Sequence, residues 1–283
     1  MINKVNLIEE LEKLNIEFET KSCDIFIDKL ELLNSENKYS LGFIDHKLKN
    51  KKELLSLAKI KNIICDFELK DEKSNSNLIF VNNPKIVFSI IGNTFFIKKK
   101  PFGIHKSAVI HPKAVIHPNS FVGSNVSVGK SIIGEGAIIH PNVSIYDNIT
   151  IGKNCILHSG SVLGSDGFGY NRHKDHSIQF PHLSGILIKD NFELGANSSI
   201  DRGCLSNTII GNNCKFDNNI HIGHNVVIHN SVWIAANSCI GGSSTINDNV
   251  SIYMSSSIAD KVTIGKNSFI GIGSVVLSDI PEN

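Results

Sequence analysis

Residues 210–276 read IGNNCKFDNNIHIGHNVVIHNSVWIAANSCIGGSSTINDNVSIYMSSSIADKVTIGKNSFIGIGSVV. A large apolar residue stands at every sixth position: Ile210, Phe216, Ile222, Ile228, Ile234, Ile240, Ile246, Ile252, Ile258, Ile264, Ile270 and Val276. A period of six fits neither an α-helix nor an ordinary alternating strand. It fits a three-sided parallel β-helix in which each hexad is one short strand plus a corner and three hexads make one coil. The aliphatic residue then points into the prism and stacks on its counterpart one coil on. Gly and Asn crowd the positions after it, and both tolerate the unusual dihedrals of a tight corner.

The same phase runs upstream. Ile110, Ile116, Val122 and Val128 keep it, and after one five-residue step it resumes at Ile133, Ile139, Ile145, Ile151, Leu157 and Leu163. It returns at Ile188, Leu194 and Ile200. Coils stack about 4.8 Å apart, so roughly eight coils make a rod about 40 Å tall. The break carries SDGFGYNRHKDHSIQFPHLSG, rich in Gly, aromatics and His. An excursion from a regular solenoid at 164–185 is where function is expected; a lap over a neighbouring subunit is the other reading.

Residues 1–102 have a different texture, that of a small α/β domain ahead of the β-helix at 103–283. Asn6 is placed to cap a helix with apolar positions Leu7, Leu11 and Leu14. Leu54, Leu55, Leu57 and Ala58 suggest a second helix. IKNIICDF (60–67) and NLIFV (77–81) read as strands, and Pro84 opens a third helix. KKKP (98–101) reads as a solvated linker.

Composition narrows the function. The chain has 28 Lys+Arg against 27 Asp+Glu, 41% hydrophobic and 19% charged residues. That excludes a disordered chain, and the near-zero charge gives no pull toward nucleic acid. No apolar run is long enough for a transmembrane segment, and the N-terminus lacks a signal-peptide pattern. Six scattered cysteines without a C-x-x-C pair suggest reduced thiols and a cytoplasmic protein. The dispersed histidines have no ligand spacing, so no metal is expected.

GSDGFGY (164–170), FPHLSG, LGANSSIDRGCLSNTIIG (194–211) and KFDNNIHIGHNV (215–226) together resemble the UDP-3-O-acylglucosamine N-acyltransferase (LpxD) family of lipid A and lipopolysaccharide biosynthesis, within the hexapeptide-repeat acyltransferases. The likeness runs from about Gly103 to Val276 and more weakly into the N-terminal part. It implies a left-handed β-helix, a homotrimer with active sites between subunits, and no permanently bound cofactor. It implies an acyl thioester donor, on acyl carrier protein or coenzyme A, and the amine of a UDP-amino sugar as acceptor. It makes His224 the general base, Asp217 its carboxylate partner and the Gly242 N–H the oxyanion donor. Imidazole suits an amine nucleophile that must lose a proton, and a carboxylate would fix its tautomer.

The resemblance gives the excursion residues Asp166, Phe168 and Tyr170, together with His221 and Asn225, to substrate contacts. His221 stands where the family often has Gln. Asp201 and Arg202 are expected to pair or to serve an interface and are set aside as catalytic residues. The resemblance also has departures. Lys261 stands where the family often has a second histidine and could hold a phosphate of the donor. The family's F-L-x-N-P-x-Y uracil clamp reads FIDHKLK here, leaving Phe43 as a stacking face with His46 and Lys49 in the other places. Phe43 could equally be a core strand residue. The chain ends at IPEN without the family's C-terminal helices. These departures keep two further readings open: an N-acyltransferase for O-antigen or capsule nucleotide sugars using acetyl or short acyl coenzyme A, and a non-catalytic scaffold.

Overall fold

A computed structural model describes residues 2–20, 22, 24–97 and 101–283. Chain contacts divide it into Met1–Lys99 and Lys100–Asn283. Cys23 and the Lys98–Lys100 stretch of the expected linker lie outside the described residues.

The second unit is a parallel β-helix with three faces. Two faces hold nine strands each, beginning at Gly103–Ile104 and Val109–Ile110, and the third holds eight, beginning at Val115–Ile116. Nine coils therefore stand where the spacing suggested about eight. Register follows the hexads: Ile210, Ile228, Ile246 and Ile264 are successive partners down one face. From Val122 onward these aliphatics are buried, and they form one continuous cluster from end to end of the prism.

Glycine and asparagine divide the work at the corners differently from the expectation. Positive φ belongs mostly to the third residue after the aliphatic, most often Asn, as in Asn219 at 58°, Asn225 at 59° and Asn237 at 61°, with Ser or Gly at several of the others. Asn visits this region more readily than most residues because its short side chain bonds locally. The glycine directly after the aliphatic is required by close approach. A Cβ on Gly134 would lie 2.7 Å from the Gly152 carbonyl carbon of the next coil. Buried corner serines close the coils: Ser244 donates to the Ala259 carbonyl at 2.8 Å and Ser238 to that of Tyr253 at 3.1 Å. Cys214 takes such a place, its Sγ 3.0 Å from the His229 carbonyl.

The chain leaves the stack after Leu163 and rejoins it at Ile186. Between them Tyr170–His173 and His176–Gln179 pair as an exposed antiparallel hairpin.

The first unit has a five-stranded sheet, in the order Phe18–Thr20, Asn77–Val81, Asn62–Cys65, Ser40–Phe43, Lys29–Leu30, antiparallel only at the first pair. Helices α1 (Lys4–Lys13), α2 (Lys51–Leu57) and α3 (Pro84–Ile91) accompany it. The cap of α1 is Asn3, not Asn6. Asn3 accepts from the Asn6 N–H, and the Asn6 side chain accepts from the Asn3 N–H in return. Leu7 and Leu11 are buried, whereas Leu14 is exposed because it lies past the last turn.

Ile240 sits fully buried mid-stack. Ile240→Ala should cost about 2–5 kcal/mol, measured as a lowered denaturation midpoint, whereas an unchanged midpoint would show that the ladder does not carry the stability.

Candidate functional site

His224 follows Ile222 at a corner. Ile222 anchors the coil, and Asn225 with its positive φ turns the chain. Asn225 is itself pinned. Its Nδ2 donates to the Ser206 carbonyl at 2.8 Å and the Ser206 hydroxyl at 3.0 Å, and its Oδ1 accepts from the Cys204 N–H at 3.0 Å. The oxygen therefore faces His224, whose Nδ1 lies 3.0 Å from it. An amide oxygen only accepts, so Nδ1 carries the proton and Nε2 keeps a free lone pair.

That nitrogen points at the next coil. A Cβ on Gly242 would lie 2.9 Å from His224 Nε2. On the ring's other side a Cβ on Gly167 would lie 2.7 Å from Cδ2. Glycine is required at both places because the imidazole is sandwiched between the excursion and the following corner. The Gly242 N–H donates to no acceptor among the described residues.

A groove of about 450 Å³ opens here, lined by Phe168, Asp201, His221, His224, Gly242 and Lys261 among others. Phe168 is 87% exposed and tilts against Tyr170 at 5.3 Å between centroids. Asp166 accepts from Gln179 Nε2 at 3.3 Å, holding the hairpin. Lys261 lies on the rim, largely solvent-exposed, and its N–H donates to the Gly242 carbonyl at 2.9 Å.

Asp201 is the residue that the sequence reading set aside. It is buried, accepts from the Ser165 hydroxyl at 3.0 Å and stands 3.7 Å from His221 Nε2. Its neighbour Arg202 does not pair with it: the guanidinium donates to the carbonyls of Ser184 and Asp147. Burial pushes the Asp201 carboxyl above its ordinary value, against the opposing pull of His221 and Ser165.

Asp217 is elsewhere. Within one chain its carboxylate accepts from the Asn218 N–H at 2.7 Å. It lines a second groove of about 700 Å³ with His158, Glu193, Lys215, Trp233 and Tyr253. The seven-residue spacing puts it one corner away from His224, on a different face of the prism. Phe43, His46 and Lys49 belong to the first unit. Phe43 is half-buried, its ring 4.8 Å from that of Phe88, and it borders a hollow with Glu31, Leu33, Asp45 and Leu48. His46 Nδ1 lies 3.3 Å from Asp45 Oδ1, and Lys49 is exposed. Phe43 thus packs on the core and also presents part of its ring.

The described cysteines are free, and burial raises their thiols, Cys65 to about 12 and Cys155 and Cys214 to about 11. They are packing residues and ladder donors rather than nucleophiles.

Residues 130–165 match the bacterial transferase hexapeptide family of six repeats. The UDP-3-O-acylglucosamine N-acyltransferase of Shewanella denitrificans is 48% identical over 66 residues, 23% of this chain and 19% of that protein. The same-named protein of Dechloromonas aromatica is 46% identical over 65 residues, again 23% and 19%. The matched segment is therefore about a fifth of the length of these relatives. Among solved structures, LpxA from Acinetobacter baumannii has a TM-score of 0.56 at 24% identity, covering 63% of this chain and 68% of that one. An Arabidopsis UDP-N-acetylglucosamine acyltransferase has a TM-score of 0.52 at 28% identity, covering 63% and 69%.

The raised Asp201 carboxyl has a pH signature. A carboxyl raised in the folded state contributes stability below its unfolded value, and that stability is lost as pH rises through the folded value. Asp201→Asn removes this loss. The variant's melting temperature relative to the parent should therefore climb as pH rises above the ordinary aspartate value of about 4. A pH-independent difference would contradict the burial of a titrating Asp201.

Proposed function

We propose that the chain is an N-acyltransferase that moves an acyl group from a thioester donor to the amine of a UDP-amino sugar, in lipid A biosynthesis. The observation that carries this is the His224 ring, held through Nδ1 by Asn225 with Nε2 bare at the corner where a Gly242 Cβ would lie 2.9 Å away, beside a Gly242 N–H that has no acceptor among the described residues. The names of the relatives similar over the matched segment support the same chemistry.

The acceptor amine attacks the thioester carbonyl carbon while Nε2 takes its proton, giving an imidazolium and a tetrahedral oxyanion. The Gly242 N–H donates to that oxyanion. The C–S bond then breaks, and the leaving thiolate takes the proton from Nε2. The Nδ1–H bond to Asn225 steadies the imidazolium, since it is kept in both protonation states. His221 stands in the same groove with Asp201 behind it, placed to meet a sugar hydroxyl. Phe168 and Tyr170 offer an apolar surface to the acyl chain, Asp166 keeps their hairpin in place, and Lys261 meets a phosphate of the donor's pantetheine arm. Acyl carrier protein is the donor, with coenzyme A as its competitor in the assay. Phe43, His46 and Lys49 hold the nucleotide.

A homotrimer completes the site. Trp233 and Phe269 are 62% and 63% exposed on the face beginning at Gly103–Ile104, with the Tyr253 ring tilted against Phe269 at 4.4 Å between centroids. An aromatic strip of this kind marks an association surface, and Asp217 lies beside it. Packed on a neighbour's His221–Ile222 face, it would bring Asp217 to that neighbour's groove. The enzyme works in the cytoplasm, where the thioester donors are made.

The test is acyl transfer with hydroxyacyl carrier protein, and separately acetyl coenzyme A, on UDP-amino sugars. His224→Ala should lower turnover roughly 10²–10⁴-fold without loss of folding, and Asp217→Ala should cost less. The active species should weigh three 31.0 kDa chains in light scattering. Near-full activity in His224→Ala, or an active monomer, would overturn this reading.

A further inference from the structure

His182 from the excursion and Cys204 from the stretch between Ile200 and Thr208 come together with His224, three side chains that the sequence keeps apart. His182, Cys204 and His224 each offer one ligand atom, and these atoms all lie within 4.8 Å of one another. The Cys204 Sγ is 3.6 Å from His224 Nδ1. The rings of His182 and His224 meet edge-on at 5.2 Å between centroids.

His182 is the telling member. It is 6% exposed, and neither ring nitrogen has a hydrogen-bond partner among the described residues. A buried imidazole without a partner forfeits the hydrogen bonds it made to water, so a histidine here calls for something to bond. Among the described residues no hydroxyl or carbonyl bonds to it. The chain supplies a second imidazole and a thiol, the soft nitrogen and sulfur donors preferred by zinc-like cations. Burial, and then the Asp166 carboxylate, push the Cys204 thiol above its ordinary value, so the cation itself must displace the thiol proton.

We propose that His182, Cys204 and His224 bind one zinc-like divalent cation, and that its binding withdraws His224 from service as a base. The balance is simple. The Cys204 S–H bond breaks, its proton goes to solvent, and a sulfur–metal bond forms. His224 ligates through Nδ1, so its proton leaves Nδ1, giving up the Asn225 bond, and a proton is taken up on Nε2 through water. The ring stays neutral, and one proton is released per metal bound. Nε2, now carrying hydrogen, faces the groove and can no longer accept a proton from an amine. This second part rests on the proposed function; the metal site itself does not.

The experiment uses the full chain, freed of metal with a chelator and then titrated with zinc by calorimetry and with cobalt(II) by absorption. The expected result is one zinc per chain, about one proton released, and a thiolate-to-cobalt charge-transfer band. Cys204→Ala and His182→Gln should each weaken zinc binding at least tenfold, and the band should vanish in Cys204→Ala. Circular dichroism melts establish that both variants fold. Absence of stoichiometric binding, or equal binding by the folded variants, would overturn the site and mark any uptake as adventitious surface binding. In the transfer assay zinc should inhibit the parent and spare Cys204→Ala. One-to-one binding through these residues with undiminished turnover would keep the site and remove the switch. Binding by a chain that transfers no acyl group at all would keep the site and overturn the proposed function.

Discussion

One aliphatic side chain per hexad, stacked on its counterpart a coil away, fixes almost everything else in the second unit. Ile210, Ile228, Ile246 and Ile264 are hydrogen-bonded strand partners and buried neighbours at once. A parallel pairing leaves no freedom to slip by one residue, because the slip would turn every aliphatic outward. The corners inherit that register. Each sits directly above the last, so a side chain at one corner finds the backbone of the next within contact distance.

His224 and Gly242 illustrate the consequence. They are eighteen positions apart in the chain, one full coil, and meet because Ile222 and Ile240 beneath them are paired. The imidazole is aimed by its immediate neighbours: Asn225 fixes the proton on Nδ1, and Gly167 closes over the ring. A rigid stack thus supplies precise placement, and the excursion supplies the cover. Buried serines and cysteines at equivalent corners bind coil to coil in the same manner and leave the groove residues free for substrate.

The regular parts were legible because a period of six survives every surface change. The break after Leu163 and the corner that carries His224 could be located from segments such as DGFGY and HIGHNV. What depends on contacts between coils could not. Glycine after the aliphatic looked like a dihedral requirement, yet the close approach of Gly134 to Gly152 is what demands it. Within one chain a prism corner separates Asp217 from His224, and it is Asn225 that accepts the Nδ1 proton, an arrangement that the seven-residue spacing does not show. Asp201 was set aside because nothing in its sequence neighbourhood shows that it will be buried. His182 and Cys204 carried no ligand spacing because two separate departures from the repeat, the excursion and the stretch between Ile200 and Thr208, bring them to His224. In the first unit, Asn3 rather than Asn6 begins the helix, a choice between two equivalent caps that only the reciprocal hydrogen bonds distinguish.

The account turns on which nitrogen of His224 holds the proton. Nitrogen-15 NMR of the histidine-labelled, metal-free chain at neutral pH reads this directly, with the His224 signals assigned by their loss in His224→Gln. The result expected is a protonated Nδ1 and a bare Nε2, with the preference weakened in Asn225→Ala. A proton resident on Nε2 in the metal-free protein would contradict the account, because the nitrogen facing Gly242 could not then act as a base.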